Sequence, residues 1–152
     1  MNLIKEDIKV SVDSLSKLLA DTYLLSIKTQ NFHWNVEDPR FYMLHDFFAK
    51  QYEMLTETID EIAERIRMLG EYAPGSMAAY LKLATIKEAS PIHDGNAMLR
   101  QLTEDHYLLI GTLRKSIELI GKTQDQGTLD FLINCLQQHE KMAWMTKSHC
   151  KA

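Results

Sequence analysis

The feature that most constrains this chain is a stripe: Leu44, Phe48, Tyr52, Leu55, Ile59, Ile62, Ile66 and Leu69 follow one another at intervals of three or four without a break. That interval matches the 3.6-residue turn of an α-helix, so the side chains share one face of a single long helix. A face so apolar must be covered by other elements. Gly70 follows the stripe and fits the position just past a helix C-terminus, where a left-handed backbone is favoured. No strand-like alternation competes with this period anywhere in the chain.

Three more long helices accompany it. Ile8, Val12, Leu15, Leu19 and Tyr23 repeat at the same interval, and the pattern runs on towards His33. Asp38-Pro39 interrupts it, and an Asp at the N-cap with a Pro at the first helical position is a start signal for the striped helix. After Gly70, Pro74-Gly75 opens a connection too long for a tight turn, inside which Ser76 to Leu81 reads as a short extra helix. Ser90-Pro91 and Asp94 mark the start of the third long helix, which carries Leu99, Leu102, His106, Ile110, Leu113, Ile117 and Ile120 to Gly121. The fourth carries Leu129, Leu132, Ile133, Leu136 and Ala143. These elements predict an all-α fold: a ferritin-like four-helix bundle whose chain crosses over once, with a short extra helix in the long middle connection. The 152 residues fit one domain, 1–152, without repeats or linkers.

Composition excludes several classes. Hydrophobic content of 45% beside 25% charged residues suits neither a disordered chain nor a membrane protein. No run of about 18 apolar residues exists, so no membrane span is expected. Met1 to Val12 alternates Lys and acidic residues with aliphatics and lacks the apolar core of a signal peptide, which makes a cytoplasmic location the expectation. Cys135 and Cys150 fall on one helix, roughly 22 Å apart, too far to bridge, and read as reduced thiols without metal-ligand spacing. A net charge of −4 and the lack of a basic stripe do not resemble a dedicated nucleic-acid binder.

Four residues carry a metal reading: His33 near the end of the first helix, and His45, Asp60 and Glu64 on the second. Imidazole with carboxylate suits iron and leaves open positions for an oxidant. Asp60 and Glu64 are an i, i+4 pair on one helix face, a pattern that on its own usually means a solvated surface. His45 and Asp60 lie roughly 22 Å apart on a continuous helix and cannot reach one ion. Either they are unrelated, or a second copy closes the gap. Antiparallel pairing of two copies about a two-fold axis near residues 52 and 53 would bring His45 of one beside Asp60 of the other, giving two identical shared sites. Ordinary ferritins place Glu-x-x-His motifs inside one bundle. This chain contains no such motif.

His33-Trp34-Asn35-Val36, then His45, then Asp60-Glu61-Ile62-Ala63-Glu64-Arg65 followed by Leu69-Gly70, resembles the signature of the Dps family (DNA-binding protein from starved cells) in residue types, order and spacing. The similarity extends over nearly the whole chain, including Glu140-Lys141 and Trp144-Met145. The resemblance implies a ferroxidase centre with His33 and His45 from one protomer and Asp60 and Glu64 from its two-fold mate, Glu64 bridging two iron positions. It also implies Fe(II) oxidation, preferentially by hydrogen peroxide rather than dioxygen, and ferric storage inside a twelve-subunit homo-oligomeric shell. Members commonly carry an acid four residues after the second histidine, where this chain has Ala49, so one iron position is expected to be weak. Neither Asp46 nor Glu53 is placed to replace it.

The remaining signals have two readings each. Trp34 is either an electron donor beside the site or packing, and His106 reads as a hydrogen-bonded core histidine. His93 and His139 carry no motif. Asp125 and Asp130 resemble the acids lining the family's three-fold pores for iron, but fit equally well as cap and first-turn acids of the last helix. DNA binding is expected to be weak or absent: Lys5 and Lys9 are matched by Glu6 and Asp7, Lys147 and Lys151 add little, and twelve copies at −4 make a shell of roughly −48. The alternatives to a ferroxidase are a structural or DNA-coating shell and a surface-acting signalling protein of the same fold.

Overall fold

Each long apolar repeat forms a helix. The structure, a computed structural model, describes residues 2–150. Among them the elements are α1 (Lys5–Asn35), α2 (Phe41–Met68), the short α3 (Met77–Leu83), α4 (Gly95–Ile120) and α5 (Gln126–Ser148), with no strand. The stripe faces inward: Leu44, Phe48, Leu55, Ile62 and Ile66 of α2 are buried against Leu15, Leu19, Leu25 and Phe32 of α1 and the apolar faces of α4 and α5. Helix α1 packs along α2 and α4 along α5, and α1 also joins the pairs by touching α4 and α3. This is the predicted single-crossover bundle. No helix among the described residues is long and apolar enough to cross a membrane.

Local capping sets most of the boundaries. Gly70, with φ of 91°, ends α2 in the left-handed conformation that its missing Cβ allows. Ser76 accepts the Ala79 amide at 3.2 Å and Asp94 accepts that of Ala97 at 2.8 Å, capping α3 and α4. Buried Asp21 of α1 accepts hydrogen bonds from the Thr85 and Ile86 amides and the Thr85 hydroxyl, pinning the crossover segment after α3. Helix α3 runs on to Leu83, two residues beyond its predicted end.

The start of α2 departs from expectation. Asp38 does not cap it; the helix begins at Phe41, and the Asp38 carboxylate turns onto Arg40, accepting from its amide at 2.7 Å and its Nε at 2.9 Å. The same guanidinium donates to the His149 carbonyl at 2.8 Å and to Asn96 at 2.9 Å, so it ties the α1–α2 turn to the start of α4 and the end of α5. Gly95 lies so close to the Asp38 carboxylate that any Cβ there would collide with it.

Two polar pairs sit in the core. Lys28 of α1 and Asp105 of α4 form a buried ion pair at 2.8 Å. His106 and His139 of α4 and α5 are both buried, with their Nδ1 atoms 3.0 Å apart, which matches the core-histidine reading of His106. Both cysteines are free; burial pushes the Cys135 thiol up to about 12, keeping it protonated and unreactive.

Candidate metal centre

The turn between α1 and α2 is short and the two helices run antiparallel, so His33 in the last turn of α1 meets His45 in the second turn of α2. Their rings stack with centroids 3.8 Å apart and 16° between planes. The Nδ1 of His33 lies 2.6 Å from the His45 carbonyl oxygen, and the Nδ1 of His45 lies 2.8 Å from the His33 carbonyl oxygen. A carbonyl only accepts, so each Nδ1 must carry the proton and donate. In the neutral imidazole this leaves the lone pair on Nε2 of both rings, the state a metal ligand requires. Phe41 stacks on His45 at 5.1 Å, and Tyr52 meets His33 edge-on at 5.4 Å. Both histidines are half-buried, which leaves the site open on one side.

The carboxylates stand elsewhere. Asp60 and Glu64 are exposed on α2, and Glu64 borders an open groove of about 730 Å³ between α2 and α5 that also includes Arg65, Asp130 and Lys141. Among the described residues of one chain, no three His, Cys, Asp or Glu side chains converge. The structure thus brings the two imidazoles together and does not bring Asp60 or Glu64 to them within a single copy. Ala49, one turn after His45, offers only a methyl group. Asp46, its acidic neighbour, is exposed and paired with Lys50 at 2.9 Å.

Asp125 and Asp130 part company. Asp125 is the N-cap of α5 and is 2% exposed, accepting from the Ser11 hydroxyl at 2.6 Å, the Thr128 amide at 3.0 Å and Arg65 at 3.0 Å. Burial raises its pKa, but the hydrogen bonds from Ser11 and Thr128 and the charge of Arg65 outweigh that, and the carboxyl ends below its ordinary value. Both of its oxygens accept from groups within the bundle, as the cap reading requires. Asp130 is exposed and free to face solvent or another copy. Trp34 is 63% exposed and in no ring contact among the described residues. The aromatic surround of the histidines, Phe41 and Tyr52, escaped the sequence reading. Its signal was available: Tyr52 follows His45 by seven residues, about two turns, and so shares its helix face.

Residues 12–152 match the family model described as a ferritin-like domain. The chain is 46% identical over 139 residues to an uncharacterised low temperature-induced protein of Nostoc sp., spanning 90% of this chain and 78% of that one. It is 34% identical over 140 residues to DNA protection during starvation protein 2 of Bacillus anthracis, spanning 92% of this chain and 96% of that one. Its fold superposes on the Dps protein of Vibrio cholerae O1, described as a member of a broad superfamily of ferritin-like diiron-carboxylate proteins. That match has a TM-score of 0.92 at 32% identity, spanning 96% of this chain and 92% of that one.

Proposed function

Since the chain belongs to the ferritin-like family, among its Dps members, we propose that it oxidises Fe(II) at sites shared between two copies and stores the ferric product within a hollow homo-oligomeric shell, a dodecamer in the cytoplasm. The observation that carries this reading is the His33–His45 pair, each Nδ1 lying against the other residue's carbonyl oxygen, so that in the neutral imidazoles the Nε2 lone pairs are left for a metal. Neutral imidazoles accept Fe(II) and carboxylate oxygens favour the harder Fe(III), so adding Asp60 and Glu64 of a mate completes a set suited to the oxidation. Pairing through α2 would also cover Phe41, Tyr42, Met43 and Met54, which a single copy leaves exposed.

Hydrogen peroxide is the proposed oxidant, with dioxygen slower. Two Fe(II) bound side by side reduce one peroxide to water without releasing hydroxyl radical, which protects nearby macromolecules. Ala49 is the specific observation favouring the second reading, a structural or DNA-coating shell with little ferroxidase activity. The two are separated by mixing purified protein with anaerobic Fe(II) and stoichiometric peroxide and following Fe(III) absorbance. The ferroxidase reading expects fast oxidation that retains iron in the protein fraction and falls at least tenfold in a His33→Ala/His45→Ala variant. A rate equal to that of protein-free solution would leave the inert shell.

A further inference from the structure

We propose that Arg40 is a positioning residue of the metal centre: its guanidinium clamps the α1–α2 turn to the start of α4 and the end of α5, and so holds the register in which His33 and His45 exchange their Nδ1 bonds. The inference rests on the metal-centre reading above and adds to it a residue that acts through the backbone rather than on a metal. Each Nδ1 donates to the backbone carbonyl of the other histidine, at 2.6 and 2.8 Å, so both bonds cross from one helix to the other. Lengthening either by about 1 Å takes it out of hydrogen-bonding range. A neutral ring freed in this way can carry its proton on Nε2 instead, and the lone pair that a metal needs is then lost.

Apolar packing alone is a loose ruler for such a register, because burial has no direction. Arg40 supplies one. It is the last residue of the connection between α1 and α2, and its carbonyl accepts at 3.0 Å from the amide of Leu44, the neighbour of His45. Its side chain donates four hydrogen bonds. Nε reaches one Asp38 oxygen at 2.9 Å, one Nη reaches the other at 3.1 Å and Asn96 at 2.9 Å, and the second Nη reaches the His149 carbonyl at 2.8 Å.

These bonds divide the work. The two-point grip on Asp38 fixes the shape of the turn, Asn96 ties it to α4, and His149 ties it to α5. The Glu37 amide, donating to the His93 carbonyl at 2.7 Å, fastens the same turn to the segment before α4. The His149 ring also lies against Phe47 at 4.2 Å, so the end of α5 holds α2 at residues 40 and 47, on both sides of His45 in sequence. A lysine at position 40 would keep the charge and lose the planar fork that meets these partners together.

The test uses the assembled, metal-free protein and Co(II), whose absorbance reports its ligands without any oxidant. The wild type is expected to bind Co(II) with the bands of nitrogen and oxygen coordination. Arg40→Lys should bind it about tenfold more weakly with altered bands, the usual cost of losing a bond that orients a ligating histidine. Asn96→Ala, which removes one arm of the clamp and keeps the Asp94 cap, should shift the affinity in the same direction by less. In 15N spectra of histidine-labelled protein, the wild type should show His33 and His45 protonated at Nδ1 alone, each assigned by its loss in His33→Gln or His45→Gln. Arg40→Lys should add signals protonated at Nε2. Leu113→Ala, a truncation of a buried residue on α4 about 27 Å from the start of that helix, should lower the urea midpoint and leave Co(II) binding and both tautomers unchanged. Wild-type affinity and tautomers in Arg40→Lys, or in Asn96→Ala where Arg40→Lys does not assemble, overturn the role of Arg40 alone, as does an equal loss in Leu113→Ala. A wild type that binds no Co(II) overturns the metal-centre reading and this role with it.

Discussion

Lowering the pH from neutrality to about 5 should weaken the folded protein through two buried histidines. His106 and His139 are each about fully enclosed, and with Nδ1 atoms 3.0 Å apart only one proton fits between them, so one ring donates, the other accepts and both are neutral. Burial lowers the pKa of His139 to about 4. Burial, reinforced by the nearness of His139, holds that of His106 well below its ordinary value. The Nε2 of His106 is buried without a hydrogen-bond partner, which leaves no acceptor to stabilise a second proton. In the unfolded chain a histidine titrates near 6.5. Between that value and about 4 the unfolded chain takes up protons that the folded one refuses, so stability falls as the pH falls. A histidine that stays neutral through this window contributes about 1.4 kcal/mol per pH unit, hence about 2 kcal/mol for His139 by pH 5, and His106 acts in the same direction. The measurement is the urea midpoint between pH 7.5 and 5 at fixed protein concentration, for the wild type and for His106→Leu/His139→Leu. The double variant should flatten the pH dependence by at least the one proton that His139 refuses. A variant whose midpoint falls as steeply as the wild type's would refute the assignment, because the refused protons would then belong elsewhere.

Four further outcomes are expected. Ala49→Asp should raise the Fe(II) bound per subunit in anaerobic titration calorimetry and speed the first phase of oxidation, and unchanged binding and rate would remove Ala49 as the missing ligand. Asp125→Ala removes the α5 cap and strands Arg65, so it should cost about 2 to 4 kcal/mol in denaturant unfolding. Because the folded pKa of Asp125 lies below the ordinary 3.8, its contribution is present above that value and lost as the pH falls through the folded one, so variant and wild type should converge in strong acid. Asp130→Asn should slow Fe(II) uptake at low salt while the assembly stays intact by size-exclusion chromatography; an equal rate would make Asp130 a solvated first-turn acid. Plasmid DNA should run unretarded with submicromolar protein at about 50 mM salt without divalent metal, where the electrostatic term is strong. Lys9 is already paired with Asp13, Lys147 is exposed on α5, and Lys151 lies outside the described residues.

The helices were legible because what makes them is local: an apolar side chain every three or four residues, Ser76 and Asp94 as caps, Gly70 as terminator. The start of α2 was misread by two residues because Asp38 carries the right local signal but is claimed by Arg40, itself held by Asn96 and the end of α5. Asp125 had two readings for a similar reason. A capping acid and a pore acid look alike in sequence, and only Arg65 and Ser11, brought in from α2 and α1, show where the carboxylate turns. Spacing marked His33 and His45 as ligand candidates, but their exchange of Nδ1 bonds depends on the register of two antiparallel helices. Tyr52 was concealed by the stripe itself, where an aromatic residue reads as core.

The reciprocal bonds of His33 and His45 have a consequence for assembly under the proposed arrangement. Turning either ring out of line breaks its own Nδ1 bond and the stack with its partner, so one copy already holds two ordered nitrogen donors, fixed by bonds worth about 1 kcal/mol each. Two neutral imidazoles alone bind Fe(II) weakly, because they supply no negative charge. With Ala49 unable to contribute any, that charge must come from Asp60 and Glu64 of the mate. Iron binding and pairing are then linked: whatever factor pairing adds to the affinity for Fe(II), Fe(II) adds to the affinity of the two copies for each other. Restoring a carboxylate at position 49 would let one copy hold iron more nearly on its own, and the same substitution that strengthens binding should weaken that linkage.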